Sequence, residues 1–232
     1  AAAGSASNPV IASAIDTSSN NEIVVAGVIS GSTTMSMGSA SITSGQYVEP
    51  WIAKADSNGN WQWIEKVSII GTSQYAEASI TDVAVAPNGD IFATGMFYDS
   101  VSFGSITLTS TGYWDCWTAK LSSSGQWQWA QALRGDGDYD GTTVTTLDVV
   151  YGTSIAVDSN SNPIVGGFFL GNTDVGVAAD TGAQNGDDIE IFVAKYSNSG
   201  NLQWSEVARG QGIQEVNSMV VGSSSNIWIS AT

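Results

Sequence analysis

Three stretches of the chain align with one another without a gap: WIAKADSNGNWQWIEKV (51–67), WTAKLSSSGQWQWAQAL (117–133) and FVAKYSNSGNLQWSEVA (192–208). Each runs from an aromatic residue through a Lys and a polar turn with Gly into a second apolar segment. Lys54, Lys120 and Lys195 fall at intervals of 66 and 75 residues, and the turn glycines Gly59, Gly125 and Gly200 keep the same intervals. The sequence contains four lysines, so three at one aligned position reflect repeated structure rather than composition. A second element precedes each copy, at 10–27, 80–95 and 153–167, and recurs at 216–231. Its aligned small residues are Gly27, Gly95, Gly167 and Ala231. Self-similarity of this kind makes each repeat one supersecondary unit that buries its faces only by stacking on its neighbours.

Each element is two short apolar runs around a turn. Pro87-Asn88-Gly89 joins β-branched and aromatic runs, and SNGN, SSGQ and NSGN join the others; these are hairpin signals. A repeat is therefore four antiparallel strands, A to D. The expected fold is all-β, a β-propeller-like array of four-stranded antiparallel blades, three complete and one half. The blades fall at about 9–70, 78–134, 142–209 and, in part, 212–232 of a single domain spanning 1–232. Strand periodicity places Trp61 with Trp63, and Trp127 with Trp129, on one face. Trp63, Trp129 and Trp204 are then inter-blade core. The intervals exceed the roughly 40–50 residues of common propeller repeats. The surplus lies between strands B and C, at 97–113 and 168–188, and is expected to project as binding loops. The half repeat implies a longer chain, or completion by another copy through an open strand edge.

SIAVDSNSNPIVGG (154–167), followed by DIEIFVAKYSNSGNLQW (188–204), resembles the bacterial and archaeal SBBP-type β-propeller repeat. The resemblance recurs three times. Asp16 and Asp158 match its strand-ending Asp, whereas Pro87 and Gly222 stand at that position in the other copies. Trp51 and Trp117 replace the Phe that Phe192 keeps. The resemblance implies a propeller fold, a place in a secreted or cell-surface protein of a bacterium or archaeon, and no catalytic residues.

The charge balance narrows the function classes. With 22 acidic residues, 6 basic ones and no His, the net charge is −16, which repels nucleic acid and anionic membranes. Without His there is no Ser-His-Asp or Cys-His arrangement. Cys116 is the only cysteine, so no internal disulfide forms, and it reads as a small strand hydrophobe. No apolar run approaches the ~20 residues of a membrane-spanning helix, so no membrane insertion is expected.

Two candidate sites remain. In GDGDYDG (135–141), Asp136, Asp138 and Asp140 alternate before Gly141, a spacing that converges carboxylates on a hard cation such as Ca²⁺. The twelfth loop position is Leu147 rather than a bidentate acid, so the loop is not an EF-hand; the alternative is a solvated acidic turn. Tyr113 and Trp114, ahead of strand C, can stack on glycans or cap the blade edge. Arg134-Gly135-Asp136 spells an integrin-type tripeptide, a three-residue match without supporting context. The recurring lysines read as stems along strand C reaching an acid or a carbonyl. The expected function is an extracellular structural or adhesive module without catalytic activity. Its expected partners are copies of itself, other surface proteins or glycans. The alternative is a lectin-like glycan-binding propeller.

Overall fold

The computed structural model describes residues 10–111, 113–135, 148–171, 173–174, 179–180, 189–210, 212–222 and 226–232. Asp136, Asp138 and Asp140, with the rest of 136–147, lie outside the described residues. The first unit comprises β1 (Val10–Thr17), β2 (Ile23–Ile29), β3 (Thr34–Met37), β4 (Ala40–Thr43), β5 (Glu49–Ala55) and β6 (Trp61–Lys66), followed by the short β7 (Ser68–Ile69). The second comprises β8 (Glu77–Val85), β9 (Ile91–Tyr98), β10 (Ser100–Phe103), β11 (Ile106–Thr109), β12 (Asp115–Leu121) and β13 (Trp127–Gly135). The third comprises β14 (Val149–Val157), β15 (Pro163–Leu170), β16 (Thr173–Asp174), β17 (Ala179–Asp180), β18 (Glu190–Tyr196) and β19 (Leu202–Ala208). A last hairpin pairs β20 (Val216–Val221) with β21 (Ile227–Ala231).

The fold is all-β and propeller-like. Blade sheets run β1-β2-β5-β6, β8-β9-β12-β13 and β14-β15-β18-β19, with β20-β21 as the half blade. All their strand pairings are antiparallel. Each A strand carries a bulge, between Ala12 and Ala14, Ile80 and Asp82, Gly152 and Ser154, and Val216 and Ser218. The bulge explains the aligned glycines. A Cβ at Gly27, Gly95 or Gly167 would overlap the carbonyl oxygen of Ile11, Ser79 or Tyr151 on the adjacent strand, so glycine fits at these three positions, whereas the half blade carries Ala231 at the same register.

The core lies between blades. Val24, Ala26 and Ile52 pack with Ile80, Val83, Ile91 and Trp117. Phe92, Cys116 and Leu133 pack with Val150, Ile155, Val165, Phe169, Phe192 and Tyr196. A third cluster forms on the outward face of the first blade, where Trp51, Ala53 and Ile64 meet Met35, Met37, Ile42 and Trp61 of that blade.

Two expectations are corrected. Trp61 and Trp63 do not share a face, nor do Trp127 and Trp129. The D strands are bulged, so Trp63 pairs with Lys54 and Trp61 with Ala55, while Trp129 pairs with Lys120 and Trp127 with Leu121. One extra residue inverts the alternation. Trp61 thus joins the outward cluster and Trp63 the seam to the second blade; Trp127 and Trp129 likewise divide between the two seams of the second blade. The described B–C insertions also do not project as free loops. Hairpin β10–β11 buries Val101, Phe103 and Leu108, with the Phe103 ring edge-on to Trp127 at 5.0 Å. Strand β10 pairs with β7, and β16 pairs with Arg134–Gly135 of β13. In both cases the insertion clasps the tail of the preceding blade.

Candidate functional site

The repeated lysines and tryptophans build the blade seams. Lys54 pairs with Glu22 at 2.9 Å, Lys120 with Asp90 at 2.7 Å and Lys195 with Asp158 at 2.8 Å, each on the A–B turn of its own blade. These ion pairs match the acid contact the sequence suggested, and the ammonium also reaches forward to the next blade. Lys54 Nζ donates to Ser123 O at 3.3 Å, and Lys120 Nζ to Asn198 Oδ1 at 2.6 Å. The indoles donate to the backbone carbonyls of the same two residues: Trp63 Nε1 to Ser123 O at 3.1 Å and Trp129 Nε1 to Asn198 O at 2.9 Å, the latter also 3.4 Å from Lys120 Nζ. Each ring lies on the turn glycine of the next blade. A Cβ on Gly125 would sit 2.7 Å from Trp63 Cδ2, and one on Gly200 2.8 Å from Trp129 Cδ2. Their positive φ, +84° and +87°, belongs to the turn itself.

The innermost strands line a trough of about 360 Å³ that contains Asp16 and Asp82. Both carboxylates are committed across blades. Asp16 Oδ2 accepts from Val85 N at 2.7 Å; Asp82 Oδ2 accepts from Ile155 N at 2.9 Å and Ser154 Oγ at 3.1 Å. Burial raises the Asp82 carboxyl above the ordinary range, outweighing those hydrogen bonds. The hydroxyls of the bulge residues act alike: Ser13 donates to Ile80 O at 2.9 Å and Thr81 to Gly152 O at 2.7 Å. This pattern rivets successive A strands, and it accounts for both acids without a reaction. Sequence reasoning missed it because the bulge decides which side chains face the next blade.

Cys116 is fully buried, 3.6 Å from Thr94 Oγ1. Burial pushes its thiol up to about 12, which leaves no thiolate nucleophile at neutral pH. Among the described residues, no three Cys, Asp or Glu side chains are grouped to hold a metal ion.

Tyr113 and Trp114 are half-buried and lie together, ring centroids 4.8 Å apart, with Tyr98 5.5 Å from Tyr113. Trp114 is fixed by the backbone, since its carbonyl accepts from Val150 N at 2.7 Å. Tyr113 lines a cleft of about 400 Å³ with Gln46, Tyr47, Gln74, Tyr75 and Glu77. Trp114 is not part of that lining. The other cleft residues come from GQYVE (45–49) and SQYAE (73–77), joined where Ala78 N donates to Val48 O at 3.3 Å. The recurring Gln-Tyr-x-Glu was the available signal. Its two copies occupy different places in the repeat, so the blade alignment conceals it.

The end faces differ from the seams. Ile15, Val83, Ile155 and Met219 occupy the same A-strand position, opposite Val25, Ala93, Val165 and Ile229. Their exposures are 67%, 3%, 4% and 7%. Val83, Ile155 and Met219 have a preceding blade against them, whereas Ile15 has none among the described residues. At the opposite end Val220 and Trp228 are 58% and 64% exposed.

No family model matches the chain. A curated relative, an uncharacterized WD repeat-containing protein of Acanthamoeba polyphaga mimivirus, is 28% identical over 161 residues. The match covers 64% of this chain and 11% of the viral protein. Similarity to a repeat protein of that description agrees with the blades seen here, and at this level the chain is a β-propeller-like repeat protein. No helix among the described residues is long and apolar enough to cross a membrane.

Proposed function

We propose that the chain is a non-catalytic structural or adhesive module, extracellular and of the SBBP type, that assembles with copies of itself or other surface proteins through its end faces. The observation that carries this reading is the exposure of Ile15 beside its buried equivalents Val83, Ile155 and Met219. This apolar position is filled at every seam, so at Ile15 it offers a face that a further blade can cover. The net charge of −16 keeps the remaining surface soluble and turns away anionic partners. Sedimentation velocity over micromolar to high micromolar concentration tests it. The wild type should self-associate, and Ile15→Ser or Val220→Ser should reduce that association. A species that stays monomeric throughout would overturn the assembly reading.

The second reading is glycan binding, favoured by the tyrosines of the 400 Å³ cleft, with Tyr75 62% exposed. Aromatic faces stack on sugars while the neighbouring amides supply hydrogen bonds. A glycan array decides it: binding lost in Tyr75→Ala and weakened in Trp114→Ala would support a lectin, and no glycan bound would remove the reading. Calcium at Asp136, Asp138 and Asp140 is proposed as the cofactor of the 135–141 loop.

A further inference from the structure

Adjacent blades present the same tyrosine at one seam. Tyr47 and Tyr113 each stand two residues before the buried acid that opens strand C, Glu49 in the first blade and Asp115 in the second. The linker between the two blades brings Tyr75 and Glu77 to the same place, and all four residues line the cleft of about 400 Å³. The walls are fixed before any ligand arrives. Ser73 N donates to Asp99 Oδ2 at 2.8 Å, and Tyr75 N to Ser73 Oγ at 3.1 Å. Tyr113 N donates to Asp148 O at 3.1 Å, and the Tyr113 ring packs against Tyr98 and Trp114.

The charge of the lining is one-sided. The Glu77 carboxylate makes no hydrogen bond or ion pair among the described residues, whereas Glu49 is held by Lys66 at 2.7 Å. None of the six basic residues lines the cleft. The net charge of −16 draws cations toward the surface, and phenol faces attract a cation through the ring quadrupole. A hard metal ion such as Ca²⁺ takes about six to eight oxygen ligands, and the lining offers one carboxylate with the amides of Gln46 and Gln74. A primary ammonium brings three N–H donors that need acceptors. A fully methylated ammonium brings none and carries its charge on an apolar sphere, which suits three rings and a single acid.

We propose that this cleft binds a small quaternary ammonium compound, its cation seated against Tyr47, Tyr75 and Tyr113 and balanced by Glu77. The volume lies at the small end of ligand sites, which span about 300–1,000 Å³, and suits a compound of the size of choline. The site belongs to the seam between the first two blades and rests on neither reading above. It differs from the glycan reading in that charge, rather than a set of hydroxyl groups, is what the cleft recognises.

The test is an NMR titration of the isotopically labelled full chain with choline, set against dimethylbutanol, the uncharged isostere with carbon in place of nitrogen. Saturable shifts are expected at the amides of Tyr47, Tyr75 and Tyr113, with the isostere bound at least about 5-fold more weakly. Tyr75→Leu removes an exposed ring and should weaken choline binding about 2- to 5-fold, whereas Tyr75→Phe should preserve it. Glu77→Gln should also weaken binding about 2- to 5-fold and flatten its dependence on salt. No saturation up to about 10 mM choline, equal binding of the isostere, or affinity unchanged in both Tyr75→Leu and Glu77→Gln would overturn the proposal. A neutral sugar that shifts these amides where choline does not would also overturn it and leave the glycan reading standing, so the two fail separately.

Discussion

Gly59 and Gly125 are the same residue in two copies of one turn, with φ of +82° and +84°. They differ in what lies against them. A Cβ on Gly59 would meet nothing within 4 Å, whereas one on Gly125 would lie 2.7 Å from Trp63 Cδ2 and 3.0 Å from Trp63 Cγ. Alanine at either site pays the left-handed backbone cost of about 1–2 kcal/mol, partly offset by lost freedom in the unfolded chain. That portion cancels in the comparison. Gly125→Ala must in addition displace an indole held by its bond to Ser123 O, an overpacking of about 1–3 kcal/mol. At 2–4 °C per kcal/mol for a chain of this size, Gly125→Ala should melt about 2–12 °C below Gly59→Ala. Circular dichroism melts of the two variants measure this. In a Trp63→Ala background the gap should close. Equal melting of the two glycine variants, or a gap that survives without Trp63, would refute the joint.

Other predictions follow from the same contacts. Gly95→Ala should cost more than about 3 kcal/mol, because its Cβ meets backbone rather than a movable side chain; a melting temperature within a degree of wild type would contradict this. Burial acts to raise the Asp158 carboxyl, but the Lys195 ion pair and the hydrogen bonds from Asn162 and Asn160 outweigh it and hold it below the ordinary 3.8. Its folded pKa is depressed, so its stabilisation is present above 3.8 and is lost as pH falls through the lower folded value. Asp158→Asn should therefore lower the melting temperature at pH 7, with the deficit shrinking as the pH falls below 3.8; a deficit independent of pH would refute the charge assignment. Calcium at Asp136, Asp138 and Asp140 should raise the melting temperature and chelator should lower it, and a silent calorimetric titration would exclude the site.

The repeat made the strands legible because each carries its own turn: Pro87-Asn88-Gly89 and the Gly59, Gly125 and Gly200 turns mark hairpins locally. The lysines were readable for the same reason, since each pairs within its own blade. What escaped the sequence depends on bulges and on distant pieces meeting. The bulge opposite Lys54 and Ala55 sends Trp61 and Trp63 to opposite faces, and no feature of WQW announces it. The clasping of β7 by β10 needs two units to be placed first. The cleft around Tyr113 was half legible: the aromatic pair was visible, whereas Tyr47 and Tyr75 arrive from two linkers that only the fold brings together.

The account stands on end faces that repeat the seam chemistry, and cross-linking between copies tests this most directly. Within the chain, Asp82 accepts from Ile155 N at 2.9 Å and Ser154 Oγ accepts from Met219 N at 3.2 Å. By the same register Ser218 of one copy should face Ile15 of another. Cys116 is buried with its thiol pushed up to about 12, so it leaves a silent background. Ser218→Cys mixed with Ile15→Cys under mild oxidation should give a disulfide-linked heterodimer in preference to either homodimer. Homodimers alone, or no cross-link at concentrations where the wild type associates, would contradict assembly through these faces.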